Sequence, residues 1–206
     1  REQLIGAWST APYGPYPFGP LMRETPVGNT PGSVSIARFE NNQARDQSFR
    51  MIINPTISGT QARIRLSNLK GDRPIRFESV SLARVLPQLP TLNGERVNLS
   101  FAGKPFVIAQ PGEEVISDTV AFALNAQEYL AVSFHIPGES GPMTWHAVSF
   151  APQYISAPGS GDVTHDNSGL AFLDLSLGWF FLSGLDVVNT QSPGAIVAIG
   201  DSITDG

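Results

Sequence analysis

Ala62-Arg63-Ile64-Arg65-Leu66-Ser67 alternates apolar and polar side chains with a period of two, the pattern of a strand that keeps one face in a core and the other toward solvent. Ile64 and Leu66 share one face and the two arginines the other, so the arginines are expected on a solvated or rim-paired face and not in an anion site. The same period recurs on both sides of this run, in Ser33-Val-Ser-Ile-Ala-Arg-Phe39, Ser48-Phe-Arg-Met-Ile-Ile53, Phe77-Glu-Ser-Val-Ser-Leu-Ala-Arg-Val85, Val97-Asn-Leu-Ser-Phe101 and Tyr129-Leu-Ala-Val-Ser-Phe-His-Ile136. Clusters of Gly, Pro and Asn separate the runs, which is the signature of antiparallel strands joined by turns. No stretch of comparable length carries a helical period, and no internal repeat is evident. The pattern predicts a mainly β chain, with an antiparallel, jelly-roll-like β-sandwich over residues 34–190.

Composition narrows the partners. A hydrophobic share of 41% over 206 residues is enough for a substantial core. The formal charge of −5 and only 13 Lys plus Arg, scattered along the chain, leave no footprint for nucleic acid or an anionic membrane surface. No apolar run approaches the ~20 residues needed to cross a bilayer as a helix. With no cysteine, disulfides and thiolate chemistry are excluded, and stability must come from packing.

Both ends of the chain depart from the strand pattern. Residues 1–33 are dense in Pro and Gly, as in Pro12-Tyr-Gly-Pro-Tyr-Pro-Phe-Gly-Pro20, and are expected as an extended arm. Its aromatics, Trp8, Tyr13, Tyr16 and Phe18, have two uses open to them: packing the arm onto the domain, or forming a platform for sugar or acyl groups. At the other end, Gly178-Trp-Phe-Phe-Leu-Ser-Gly-Leu-Asp-Val-Val188 reads as one strand closing the sandwich, and Asn189-Thr-Gln-Ser-Pro-Gly194 as a linker. Residues 191–206 then begin a different architecture. Ala195-Ile-Val-Ala-Ile199 is apolar on both faces, as in a parallel sheet covered by helices, and it runs into Gly200-Asp201-Ser202. A serine in a turn at the carboxyl end of such a strand is exposed to substrate. Backbone N–H groups and the dipole of a following helix lie close enough to hold an oxyanion there.

The block Gly200-Asp-Ser-Ile-Thr-Asp-Gly206 resembles the first sequence block of the SGNH (GDSL-type) serine hydrolases, a family of esterases and lipases. Upstream, Ala62-Arg-Ile-Arg-Leu-Ser-Asn68, Phe101-Ala-Gly-Lys104, Ser117-Asp118, Leu130-Ala-Val-Ser-Phe134 with Ile136-Pro-Gly138, Thr144-Trp-His146 and Phe181-Leu-Ser-Gly-Leu-Asp-Val187 resemble the β-rich region ahead of that block in secreted, mostly bacterial, members. The resemblance covers most of the chain from about Asn41 onward. It implies that Ser202 is the nucleophile and that Gly200, Asp201 and Ser202 form the turn, with the Ser202 N–H as an oxyanion donor. Asp201 is expected to stabilise that turn, and Thr204 and Asp205 to cap a helix beyond it. The remaining blocks of a flavodoxin-like α/β domain, namely a glycine, an asparagine and an Asp-x-x-His, are expected beyond Gly206, on a separate or cleaved partner chain. The resemblance further implies hydrolysis of short acyl esters or acetylated carbohydrate without a cofactor, by a secreted or periplasmic protein. The alternative is a non-catalytic carbohydrate-binding or structural β-sandwich.

The three histidines differ in context. His135 lies inside an apolar strand and reads as structural. His146, with Trp145, lies in a segment that echoes the family and is the candidate for a place at the substrate cleft. His165 lies in Gly159-Ser-Gly-Asp-Val-Thr-His-Asp-Asn-Ser-Gly169, whose composition is that of a mobile surface excursion. The spacing of Asp162, His165 and Asp166 matches no specific metal site, and no metal is expected. Asn98-Leu-Ser100 fits the acceptor pattern for N-glycosylation.

Overall fold

The computed structural model describes residues 3–18, 35–36, 39–189, 194 and 199–200. Strands follow one another in the order β1 (Gln3–Ser9), β2 (Ser35–Ile36), β3 (Arg45–Ile53), β4 (Gly59–Ser67), β5 (Ile75–Val85), β6 (Leu92–Asn98), β7 (Phe106–Ala109), β8 (Glu114–Ile116), β9 (Val120–Leu124), β10 (Leu130–Glu139), β11 (Trp145–His146), β12 (Gln153–Ile155), β13 (Asp174–Ser176), β14 (Trp179–Phe180) and β15 (Leu182–Asn189). The only helical element among the described residues is the short 3-10 turn Glu40–Asn42. None of their helices is long and apolar enough to cross a membrane.

Most of the strands form two facing sheets, as the alternation predicts, and β11 and β14 pair apart from them as a two-stranded sheet. One sheet has the order β2-β13-β12-β3-β10-β5-β6, with β7 also on β5; the other has the order β1-β15-β4-β8, with β9 also on β4. Every pairing is antiparallel except β2 with β13. At the centre of the larger sheet, Phe49 of β3 lies opposite Phe134 of β10, and their rings stack at 5.3 Å. The edges and faces of the Phe181 ring meet Phe49, Phe77 and Phe134 at 5.6–6.3 Å, which locks the two sheets together. Ile64 and Leu66 of β4 are fully buried in this same cluster. Their polar neighbours point the other way, where Arg63 and Arg65 pair with Asp186 of β15 at 3.0 and 3.3 Å, so the arginine face is ion-paired as expected.

Four expectations need correction. The first residues are not all an arm outside the sandwich: β1 is an edge strand hydrogen-bonded to β15, and Ala7 is buried in the core. The run Gly178–Val188 is two strands, because Phe181 takes a left-handed conformation (φ 58°) that breaks the ladder. The strand expected at Val97–Phe101 lies earlier, at Leu92–Asn98. The polar segment 156–173 is a fastened cover rather than a loose excursion. It lies over the outer face of the larger sheet, with Gly159 and Gly161 N–H donating to the Arg45 and Asp46 carbonyls and Val163 N–H to Ser48 Oγ. Of the segment at 33–39, the pairing of Ser35–Ile36 is described. The linker 190–193, the strand 195–198 and the block from Asp201 to Gly206 lie outside the described residues.

Arg50 explains the cover. Its neighbours Phe49 and Met51 point into the core, so Arg50 points outward, yet it is fully buried. Its guanidinium donates to the carbonyls of Pro90, Thr164 and Asp166 and to Ser133 Oγ, and lies 4.1 Å over the Phe172 ring. A planar cation with five fixed donors is suited to gathering several loop carbonyls at one point.

Candidate functional site

Ser202 and Asp201 lie outside the described residues, and Gly200 is exposed. The described part of the candidate site is the segment around Trp145 and His146. Here the chain from Ala11 to Phe18 runs along Met143–His146: Tyr13 N–H donates to the Trp145 carbonyl and Tyr16 N–H to that of Met143, both at 2.8 Å. Proline-rich sequence suits this role, since an edge segment needs few N–H donors.

Trp145 is buried, 5% exposed, and its indole N–H donates to the Phe18 carbonyl at 2.9 Å. Its ring packs against Tyr16 and Phe180, so Trp145 is a wall of the core rather than a substrate contact. His146 faces outward and is half-buried. Its Nδ1–H donates to the Ala11 carbonyl at 2.8 Å, because a carbonyl oxygen only accepts; in the neutral ring this leaves the lone pair on Nε2. The ring is stacked on Tyr13 at 4.6 Å and tilts toward Trp179 at 5.8 Å, and Trp179 in turn meets Trp8 edge-on at 5.1 Å. Tyr13, His146, Trp179 and Trp8 therefore form a continuous row of half-buried rings. Of the aromatics singled out in the first residues, Trp8 and Tyr13 join this row. Tyr16 packs inward against Phe39, Trp145 and Phe180, and Phe18 is exposed.

The other histidines are placed as follows. His135 is 6% exposed, and its Nε2–H donates to Asp46 Oδ1 at 2.9 Å. His165 is exposed. Its neighbours Asp162 and Asp166 spend their oxygens on local turns: Asp162 Oδ1 accepts from Thr164 N–H and Oγ1–H, while Asp166 accepts from Ser168 and Ala171. Burial pushes both carboxyls up, but hydrogen bonding outweighs it, from the Ser79 hydroxyl and then Thr164 for Asp162 and from Ser168, Ala171 and Gly169 for Asp166, and holds both below the usual carboxylate value. Among the described residues no three His, Asp or Glu side chains converge as metal ligands.

Sequence reasoning missed two features of this region, the buried Arg50 and the Asp46–His135 pair. Both bring together residues far apart in the chain, and neither leaves a local signal beyond a charged residue inside a strand run. Compared with models of known protein families and with curated proteins, the chain matches none.

Proposed function

We propose that the protein is a serine esterase in which Ser202 attacks the carbonyl carbon of a carboxylic ester. The hydroxyl proton passes to a histidine supplied by sequence after Gly206, the tetrahedral oxyanion rests on the Ser202 N–H in the Gly200–Ser202 turn, and the alcohol leaves an acyl-enzyme that water then hydrolyses. The observation that carries this reading is the block Gly200-Asp-Ser-Ile-Thr-Asp-Gly206 directly after the apolar run Ala195–Ile199. The fold agrees with it in outline, since an antiparallel sandwich precedes that run, as in the β-rich region of the hydrolases it resembles. The substrates are short acyl esters or acetylated carbohydrate, met outside the cytoplasm.

The test is Ser202→Ala in the full-length protein with a chromogenic acetyl or butyryl ester. Loss of turnover by roughly a thousandfold or more, with an unchanged fold, is the expected result. Full activity in a folded variant overturns the reading.

A second reading, a non-catalytic carbohydrate-binding sandwich, is favoured by the row of Tyr13, His146, Trp179 and Trp8, because aromatic rings stack on the apolar faces of sugars.

A further inference from the structure

Where the first residues meet Gly141 and Pro142, at the opposite end of their seam from the ring row, the surface opens into a cleft of about 350 Å³ edged by Asn41, Asn42, Gln43, Asp72 and Arg73. That volume falls at the lower end of the ~300–1,000 Å³ typical of small-molecule sites.

The backbone at the cleft is unusual. Asn41 and Asn42 both take left-handed conformations at φ 55°, which glycine holds without strain and asparagine merely tolerates. Two amide side chains are thereby kept where glycines serve the backbone better, and no side-chain hydrogen bond engages either amide among the described residues. Gln43 Oε1 accepts from Gly141 N–H, which fixes that side chain, and among the described residues no hydrogen bond engages its amide N–H groups. Gly141 is required here: its φ is 67°, and a Cβ would lie 2.5 Å from Arg73 Nε and 2.6 Å from Asp72 Oδ1. The absent side chain lets the Asp72–Arg73 pair lie against the backbone.

Charge selects the ligand. Arg73 donates to Asp72 at 2.8 Å, and this hydrogen bond holds the Asp72 carboxyl below its usual value, so the pair is ionised and mutually neutralised. In the adjoining hollow Arg45 is likewise matched by Glu40 at 3.4 Å, next to Glu139. No unmatched cation is left to attract an anion. What the cleft offers is a dense set of donors and acceptors beside the apolar surfaces of Tyr16, Pro15 and Pro142. Neighbouring hydroxyls, each both donor and acceptor, match a carboxylate–guanidinium pair flanked by amides, while the C–H face of a sugar ring matches the apolar wall.

We propose that this cleft binds a neutral, hydroxyl-rich ligand, one or two rings of a polysaccharide. The inference needs no ester chemistry; it gives the carbohydrate reading of the sandwich a second and specific site.

The test is titration of ¹⁵N-labelled full-length protein carrying Ser202→Ala, so that no turnover intervenes, with cellohexaose, xylohexaose and mannohexaose. The expected result is that at least one of them shifts the backbone amides of Asn41, Asn42, Gln43 and Gly141. The double substitution Asn41→Gly and Asn42→Gly keeps the left-handed backbone and removes the amides. It is expected to weaken binding by about tenfold or more without lowering the melting temperature. Unweakened binding in that variant, or no shift with any of the three sugars, overturns the proposal. Shifts confined to Tyr13, His146 and Trp179 overturn the cleft while upholding sugar binding by the ring row. Neither outcome bears on Ser202.

Discussion

Among the described residues Arg50 is the largest side chain that the fold encloses completely. Burial lowers its pKa from the ordinary guanidinium value to about 10, with the Asp166 carboxylate pulling the other way. The folded value lies below the unfolded one, so the unfolded chain holds more protons only above about pH 10, and stability contributed by this group rises with pH there. Through the neutral range Arg50 is cationic in both states and adds no pH dependence. Its worth lies in geometry. Arg50→Lys keeps the charge but leaves carbonyls of Pro90, Thr164 or Asp166 without a donor inside the fold. Urea denaturation is expected to show a loss of about 2–4 kcal/mol; a loss under about 0.5 kcal/mol contradicts the keystone role. The sequence could not reveal this. In Ser48–Ile53 the period of two tells that residue 50 faces away from Phe49, but only the distant segment 156–173 turns that outward face into an interior.

That segment is the element on which a second and third expectation rest. Gly169 has φ 80°, and a Cβ there would come within 2.7 Å of Pro90 Cγ, pressing on the loop whose carbonyl Arg50 holds. Gly169→Ala is expected to cost about 1–3 kcal/mol with an unchanged far-ultraviolet spectrum, and an unaffected denaturation midpoint contradicts it. The carboxylates of Asp162 and Asp166 tie the same segment. Since hydrogen bonds hold both below 3.8, the stability they contribute is present above that value and is lost as pH falls through the folded pKa. Hydrogen exchange at the amides of Thr164, Ser168 and Ala171 is therefore expected to accelerate below pH ~3.8, ahead of the core strands, and to show no such step between pH 5 and 8. Uniform exchange across segment and core in acid contradicts the local tie. Strand β4 was legible because it buries one face and shows it as alternation, whereas β3 and β10, buried on both faces, show it because the face under the cover carries the polar side chains of Ser48, Arg50, Ser133 and His135. The break at Phe181 was not, because an apolar run looks the same whether its backbone is extended or left-handed at one residue.

At the scale of the whole molecule, the first residues belong to the sandwich. β1 pairs along β15, Thr56 N–H donates to the Ala7 carbonyl, and the Tyr16 ring meets Phe39, Trp145 and Phe180. Deleting residues 1–18 is accordingly expected to lower the melting temperature by about 10 °C or more, or to abolish cooperative unfolding; an unchanged midpoint contradicts it. Proline density marked this stretch as extended but not that it joins an edge, since an extended arm and an edge strand differ only in what lies beside them. The site divides in the same way. The proposal of Ser202 rests on a short contiguous block, whereas the ring row and the Asn41–Arg73 cleft are assembled from residues scattered along the chain. The central claim, that Ser202 is an activated nucleophile, is tested most directly by incubating the full-length protein with a fluorophosphonate and locating the adduct by peptide mass spectrometry. The serine oxygen displaces fluoride from phosphorus only where a base takes its proton. The expected result is a single phosphonyl group on Ser202, formed in native protein and not after denaturation; no adduct, or one on another residue with Ser202 unmodified, contradicts the claim.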